Sequence, residues 1–486
     1  MFDLTDEKII DGVLAEFEQL ARIPRKSGHE QAVSDYLVEA FKNLGCQVHQ
    51  DEVFNVIADL PASPGKEQLP RVILQGHMDM VCVAAPGIKY DPLVDPIRLI
   101  RDEKFLRADG TSLGADDGIG VAEALFYFRH IKDKAHGPLR AIITVDEEQG
   151  MTGAVNLDSK YITDATYLIN CDSENYDELT VGSAGSVNID FNKKVNFVKP
   201  QGKNAYKISI TGLKGGHSGM EINKGRANAI KLMAMLLYSL NEAGVEYELA
   251  SLSGGKARNS IPAEAQMVIT TNGKGADILR LMDLEDRKCI DIYGGTDKDI
   301  SFDFVKVDMP DQVMAKGDRD SIINLLVSLH SGVFAMSQVV PGLVETSANI
   351  GMIVQQDDMI NVLCMPRSSV DSKLDEFVAQ AVVLAGFAGF TPVIDKKTPG
   401  WKERQDSRLA QVMQEVFQEQ NGKPMKVEAI HAGLECGWHL QKNPNLDVVS
   451  IGVSTYDIHS PQERLELWTI VPQVKLIWET IKRLVG

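Results

Sequence analysis

Cysteine is scarce in this chain of 486 residues, and no two cysteines form a CxxC pair. The six residues are Cys46, Cys82, Cys171, Cys289, Cys364 and Cys436. Cysteines scattered through a large chain are most simply reduced thiols in the cytosol, so no disulfide framework is expected. The spacing also argues against zinc held by thiolates. Any metal site must therefore be built from histidine, aspartate and glutamate.

Long apolar runs and an excess of basic residues are also absent. The longest apolar stretch, AVVLAGFAGF at residues 381–390, is far shorter than the roughly 20 residues that cross a bilayer. The N-terminal sequence lacks the basic start and apolar block of a signal peptide. With 50 basic and 68 acidic residues, the net charge of −18 disfavours nonspecific binding to nucleic acid. We expect a cytoplasmic protein without membrane or nucleic-acid partners.

Helix and strand patterns alternate in the first third of the chain. Strand-like runs, PRVILQGHMD, PLRAIITVDEE and ATYLINCDSE, are separated by helix-like segments such as GIGVAEALFYFRHI. This alternation predicts an α/β fold with an open, largely parallel sheet flanked by helices. Each strand run ends in acidic residues or a histidine. Because ligands bind beyond the carboxyl ends of such strands, these polar clusters are expected to converge.

The pattern changes after the first third and then returns. Two strand–helix–strand–strand–helix units are predicted near residues 204–295 and 298–390, and the tail again resembles the first region. The sequence therefore predicts a domain inserted into another. The predicted boundaries are 1–186 for the first part of the main domain, 187–395 for the insertion and 396–486 for the second part.

Five polar motifs carry candidate chemistry, and the first three lie at predicted strand or helix ends. His77 and Asp79 in GHMD face the same way in a strand, as a metal ligand and an acid that orients it, or as a chance polar pair. Asp116 in GADDG bridges two cations or caps a helix. Glu147 and Glu148 in DEEQG are a general base and a ligand, or a solvated acidic loop.

The remaining motifs are CDSE, with Asp172, and IHSPQE, with His459. Each has a structural alternative, a strand-end turn for Asp172 and a packed loop for His459. Taken together, two histidines and three carboxylates are able to hold two divalent ions about 3.5–4 Å apart. Zinc, manganese and cobalt all accept such nitrogen and oxygen ligands.

The five motifs, in this order, resemble the dinuclear zinc peptidase family of carnosinases, tripeptidases and aminoacylases. RIPRKSGHE and HAGLECG are similar to the branch that contains the aminoacyl-histidine dipeptidases, and the resemblance covers essentially the whole chain. It implies a zinc-exopeptidase-like catalytic domain, with a mostly parallel central sheet, and an inserted α+β lid of two related halves.

The resemblance also implies a role for each matching residue. Two divalent ions, zinc first with cobalt or manganese as alternatives, would be held by His77 and Asp172, by Glu148 and His459, and by Asp116 as the bridge. The peptide between residues 116 and 117 would be cis. In catalysis, Asp79 would orient the ring of His77, and Glu147 would act as general base.

Further residues are implied for the substrate. His217 in KGGHSGM would donate to the oxyanion, with a helix-capping histidine as the alternative. Asn259 in ARNSIP would bind substrate. Arg367 in MPRSS would bind the substrate carboxylate, because arginine pairs well with carboxylates. A surface salt bridge is the alternative for Arg367. Gly433 and Glu435 in HAGLEC would line the substrate's N-terminal side, or only pack a helix turn.

The expected function is two-metal-dependent hydrolysis of unblocked dipeptides, including Xaa-His and β-alanyl-histidine, with Glu147 as general base. One alternative is an N-acyl-amino-acid amidohydrolase of the same fold, which would not require a free α-amine. Another is a metal-dependent peptide-binding protein without catalysis, which would not need Glu147. The insertion is about twice the length common in dimerising relatives, so the sequence leaves a monomer and a homodimer open.

Overall fold

A computed structural model of the chain describes residues 4–338, 340 and 342–485. It divides the chain into two compact units. The first unit extends to residue 182 and includes residues 403–429 and those from 434 onward, while the second contains 183–402 and 430–433. The boundaries predicted from the sequence lie at 186 and 395, and they assign 430–433 to the main domain. That short segment joins the second unit because the N–H of Ala184 donates to the carbonyls of Ile430 and Ala432.

The first unit is built on an eight-stranded sheet. In hydrogen-bonding order the strands are Gln47–Gln50, Val56–Leu60, Leu139–Thr144, Val72–His77, Tyr167–Asn170, Asp447–Ser450, Glu178–Ser183 and Lys426–Ile430. The four strands from Leu139–Thr144 to Asp447–Ser450 run parallel. Every residue of Leu139–Thr144 and Val72–His77 is buried, as expected for a parallel sheet covered on both faces.

Helices of the first unit supply that cover. They are Asp6–Ala21, Gln31–Asn43, Ala115–Ile131, Thr152–Asn156, Lys160–Thr163, Arg408–Asn421, Cys436–Lys442 and Ile470–Val485. In the first helix, Ile9, Val13 and Phe17 recur at helical spacing and are completely buried in the core of this unit. A small antiparallel sheet, Thr455–Tyr456, Arg464–Glu466, Phe105–Ala108 and Leu99–Arg101, completes the unit.

The second unit is built on a ten-stranded antiparallel sheet. Its main path is Ser301–Val307, Asn204–Thr211, Ala265–Thr271, Glu248–Gly254, Val344–Gln356, Met359–Ser368, Ile189–Lys194 and Thr391–Ile394, with Gly332–Met336 and Gly185–Ser186 as side branches. Two small pairs, Phe197–Val198 with Val313–Met314 and Gly216–His217 with Ser260–Ile261, lie outside this sheet. The helices are Ala229–Glu242, Gly275–Tyr293, Lys316–Ser328 and Asp371–Phe387, with a short 3₁₀ turn at Ile222–Lys224.

The two predicted halves of the insertion exist, but their boundaries were wrong. The strand Ser301–Val307 pairs with Asn204–Thr211, so it closes a βαββαβ unit over residues 204–307. The second such unit takes its first strand, Ile189–Lys194, from before the first unit, because that strand pairs with Met359–Ser368 and Thr391–Ile394. One half is therefore nested in the other. In the part of the chain that the structure describes, no helix is both long and apolar enough to cross a membrane.

Candidate active site

The parallel strands of the first unit bring the predicted ligands to one edge of the sheet. The strands Val72–His77 and Leu139–Thr144 are in register with their last residues side by side, and Tyr167–Asn170 ends beside Gln75. The chain then continues into the polar motifs beyond this shared edge. The expected convergence of these motifs is therefore observed.

Two histidines and three carboxylates meet at this edge. His77 Nε2 lies 3.0 Å from Asp116 Oδ1 and 3.4 Å from Asp172 Oδ1. His459 Nε2 lies 3.2 Å from Asp116 Oδ2 and 2.8 Å from Glu148 Oε1. Asp116 thus directs one oxygen to each histidine. Ligand atoms of His77, Asp116 and Glu148 all lie within 4.8 Å of one another.

Asp79 lies on the other side of the His77 ring. Its Oδ1 is 3.3 Å from His77 Nδ1, and both side chains are buried. Asp79 is itself held, because Oδ1 accepts from the N–H of Glu147 at 3.0 Å and Oδ2 accepts from Ser27 Oγ at 2.8 Å. A carboxylate beside Nδ1 favours the tautomer that leaves the Nε2 lone pair for a cation. The peptide between residues 116 and 117 is cis.

Charges in this cluster are unbalanced toward the negative. Burial raises the pKa of Asp172 to about 8. Burial, followed by the charge of Asp172, raises the pKa of Glu147 well above its ordinary value. Hydrogen bonds to Asp116 and Glu148 raise the pKa of His459 to about 10. Carboxyls that retain protons beside imidazoles that gain them are the signature of a site that lacks positive charge.

The residues present fit a pair of divalent cations. Nitrogen and carboxylate oxygen are the ligands that zinc, manganese and cobalt share. The Nε2 atoms of His77 and His459 both face carboxylates, which repel one another unless a cation or protons lie among them. Glu148 and Asp172 side chains are each 7% exposed, so bulk water screens their charges only weakly.

The second unit brings together three residues predicted to bind substrate. His217 pairs with Ser260 in a short antiparallel bridge, and the N–H of Ser218 donates to the carbonyl of Asn259. Burial lowers the pKa of His217, and the positive charge of Arg367 lowers it further. His217 Nδ1 accepts from the N–H of Met220 at 3.1 Å, so the neutral ring carries its proton on Nε2 and is able to donate it.

Arg367 is buried, and no described residue provides a counter-ion for it. It is 7% exposed, its Nε has no hydrogen-bond partner among the described residues, and burial lowers its pKa to about 10. Ser347 lies opposite Arg367 on the neighbouring strand and bonds His431 Nε2 at 2.7 Å. His431 belongs to the same segment, 430–433, as Gly433.

Glu435 lies in the first unit, where it is completely buried. Its Oε2 accepts from Gln75 Nε2 and from Thr144 Oγ1, each at 2.6 Å, while Oε1 has no partner among the described side chains. Both donors come from strands that carry or precede the candidate ligands. A contact with a substrate ammonium stays a prediction, and it requires Oε1 to be uncovered.

Four further residues of these clusters were not singled out from the sequence. Arg25, Ser27 and Glu463 support the segments around Asp79 and Asp116, and His431 adjoins Arg367. All four lie inside quoted stretches, RIPRKSG, IHSPQE and HAGLEC. Their place in those stretches could have identified them as candidates. Their roles depend on partners that are distant in sequence.

Comparison with known proteins places this chain among metallopeptidases. Residues 73–483 match the family described as Peptidase family M20/M25/M40. The chain is 34% identical over 472 residues, 96% of each chain, to the cytosol non-specific dipeptidase of Escherichia coli. It superposes with a TM-score of 0.88 on the aminoacylhistidine dipeptidase from Vibrio alginolyticus, at 33% identity over 97% of this chain and 96% of that one.

A more distant structure shares the fold. The aminopeptidase PepT from Bacillus cereus aligns with a TM-score of 0.60 at 18% identity, covering 98% of this chain and 99% of that one. The predicted fold class, a mostly parallel α/β domain with an inserted domain, is confirmed by these matches. On the extent of the family match and the identity to its relatives, this chain belongs to peptidase family M20/M25/M40.

Proposed function

We propose that this protein hydrolyses unblocked dipeptides, including Xaa-His and β-alanyl-histidine, with two divalent metal ions. The observation that carries the proposal is the set His77, Asp116 and Glu148, whose ligand atoms all lie within 4.8 Å of one another. The names of two relatives, a cytosol non-specific dipeptidase and an aminoacylhistidine dipeptidase, support the choice of substrate. A cytoplasmic location stays a prediction.

The two ions would be held by His77 and Asp172, by Glu148 and His459, and by Asp116 between them. Zinc fits these ligands best, and cobalt or manganese are the alternatives. When bound, such a pair supplies a Lewis acid and lowers the pKa of an attacking water.

Residues of the chain carry the proton transfers. Glu147 takes a proton from the attacking water and delivers it to the leaving amine. Its backbone N–H is held by Asp79, which also orients the ring of His77. Burial excludes bulk water from Asp79 and His77, so both keep one orientation.

His217, Arg367, Asn259 and Gly433 are the residues that would bind the rest of the dipeptide. His217, with its proton on Nε2, donates to the oxyanion that forms at the carbonyl. Arg367 pairs with the substrate carboxylate, which replaces the counter-ion that the guanidinium lacks among the described residues. Asn259 and Gly433 supply further polar contacts to the substrate.

A hydrolysis panel tests the proposal. The full chain, loaded with zinc, cobalt or manganese, is incubated with Ala-His, β-Ala-His, Leu-Leu, a tripeptide and N-acetyl-histidine, and products are followed by mass spectrometry. We expect cleavage of the free dipeptides and not of N-acetyl-histidine. Cleavage of the acetylated compound alone would identify an N-acyl amidohydrolase. No cleavage with two metals bound per chain would identify a binding protein.

A further inference from the structure

A buried carboxylate holds the loop that leads into Asp116. Glu463 Oε2 accepts from the N–H groups of Leu113 at 2.7 Å and Gly114 at 3.0 Å, and Oε1 accepts from the N–H of Ala115 at 2.8 Å. Three consecutive N–H groups at a helix start are otherwise without partners. One side chain therefore fixes the backbone directly before Asp116.

A buried guanidinium holds the same loop from its carbonyl side. Arg25 Nη2 donates to the carbonyl of Gly114 at 2.5 Å, and Nη1 donates to the carbonyls of Met78 at 3.0 Å and Asp79 at 3.1 Å. Arg25 and Glu463 are each 2% exposed. Arg25 thus ties the segment that carries Asp79 to the loop before the predicted bridging ligand.

The close approach of Arg25 requires glycine in the loop. Gly114 has a φ of 69°, a left-handed backbone conformation that residues other than glycine rarely adopt. A Cβ at this position would lie 2.5 Å from Arg25 Nη2 and 2.6 Å from Met80 Sδ. The glycine of the GADDG motif is therefore explained by the Arg25 contact as well as by its backbone conformation.

We propose that Arg25 and Glu463 are positioning residues that fix Asp116 in the orientation in which one oxygen faces each histidine. The inference rests on the proposed function, in which Asp116 is the bridging ligand. Neither residue touches the predicted ligand atoms in this structure; each acts on the backbone beside them. Partners of this kind typically change metal affinity or activity by about 10- to 100-fold when removed.

The test measures zinc affinity by competition with a chromophoric chelator, together with kcat and KM for Ala-His at saturating zinc. We expect Glu463→Ala to weaken zinc binding about 10- to 100-fold and to lower kcat with little change in KM. Glu463→Gln should lose less zinc affinity than Glu463→Ala, because the amide oxygen of glutamine still accepts hydrogen bonds from backbone N–H groups. Arg25→Lys retains the charge but replaces the two donor nitrogens Nη1 and Nη2 by one, so it should also weaken zinc binding, without the folding risk of an apolar replacement.

Asp447→Asn is the matched control. Asp447 is also buried in the first unit, where it accepts from Ser407 Oγ at 2.6 Å and from the N–H of Leu409 at 3.0 Å at the start of another helix. We expect this variant to lower the midpoint of thermal unfolding while zinc affinity stays the same. The comparison separates general loss of stability from loss of ligand orientation.

The outcomes are distinguishable. If the wild type binds two zinc ions and the Glu463 variants bind them equally well, the inference is overturned while the proposed function stands. If Asp447→Asn loses as much zinc affinity as Glu463→Ala, the role is merely structural and the inference is likewise overturned. If the wild type binds none of zinc, cobalt and manganese, the proposed function fails and the inference fails with it.

Discussion

The two candidate clusters of this chain, around Asp116 and around Arg367, carry buried charges of opposite sign. In the first unit, burial raises the pKa of Asp172 to about 8, and carboxylates hold His459 as a cation. In the second unit, Arg367 is buried without a carboxylate among the described residues, and His217 and His431 are held neutral nearby. The first cluster lacks positive charge and the second lacks negative charge. Metal ions would supply the positive charge to the first cluster, and a substrate carboxylate would supply the negative charge to the second.

Arg140 shows how a buried arginine of this chain is paired when carboxylates surround it. Arg140, in the first unit, is 5% exposed and bonds the carboxylates of Asp59 and Asp164 at 2.7–2.9 Å. Arg367 is 7% exposed and has no such pair in the described part of the chain. Burying a charge without a partner is costly, so folded proteins retain it mainly where a ligand completes the site. Unbalanced burial, more than burial itself, is the feature that makes the two clusters candidate ligand sites.

The largest expected effect is at Glu147. Glu147→Gln removes the group that takes the proton from water but preserves shape, so kcat should fall about 10²- to 10⁴-fold. Zinc content should stay at two ions per chain, measured by mass spectrometry of the metal. Glu52→Gln changes an exposed acid of the same unit and should leave kcat unchanged. Wild-type rates in Glu147→Gln would instead show that Glu147 is not the general base.

Arg367→Met tests the anion side of the comparison. Loss of a charge-assisted pair should lower kcat/KM for Ala-His about 10- to 100-fold, mainly by raising KM. The value of kcat/KM for Ala-His amide, a substrate without the carboxylate, should change very little. The same variant should unfold at a higher temperature, because an unpaired buried charge is removed. Arg287→Met, on an exposed helix face, is the control for both measurements. Equal losses on the amide and the acid would refute carboxylate binding by Arg367.

The neutral histidine beside Arg367 predicts acid sensitivity in the second unit. Burial, then the charge of Arg367, lowers the pKa of His431 to about 3, although the Val344 carbonyl raises it and His217 lowers it slightly further. The unfolded chain binds a proton below about pH 6.5 that the folded chain excludes, so stability falls as pH decreases from 6.5 toward 3.

By pH 5 this loss should reach about 2 kcal/mol. The measurement is the urea midpoint of wild type and His431→Asn at pH 7 and pH 5, since the difference between them isolates this residue from other acid effects. His330→Gln, another histidine of the second unit, is the control. If His431→Asn loses as much stability as the wild type between the two pH values, His431 is not the source.

The smallest effect is expected at Glu435. Its Oε2 accepts from Gln75 and Thr144, and an amide oxygen is able to accept both hydrogen bonds, so Glu435→Gln should change kcat/KM for dipeptides by only about threefold. Glu435→Ala leaves two buried donors unpaired and should lose more. A large rise in KM in Glu435→Gln, confined to substrates with a free amine, would instead support the predicted contact with the substrate ammonium.

Much of the fold and candidate site followed from sequence order. Parallel strands end at one edge of a sheet, so the motifs after Val72–His77, Leu139–Thr144 and Tyr167–Asn170 had to converge. The family and the fold class are confirmed, and the cis peptide at residues 116 and 117 is present. The catalytic and ligand roles stay predictions.

Other features were decided by tertiary structure alone. The nested halves of the insertion depend on the pairing of Ile189–Lys194 with Met359–Ser368, strands that are more than 160 residues apart and carry no local mark of their partner. Arg25 and Glu463 meet one loop from opposite ends of the chain. Local sequence thus determined which residue types stand at each strand end, through periodicity and motif order. Only the folded chain decided which distant charges are paired and which are left for a ligand, because burial and Coulomb energy depend on neighbours in space.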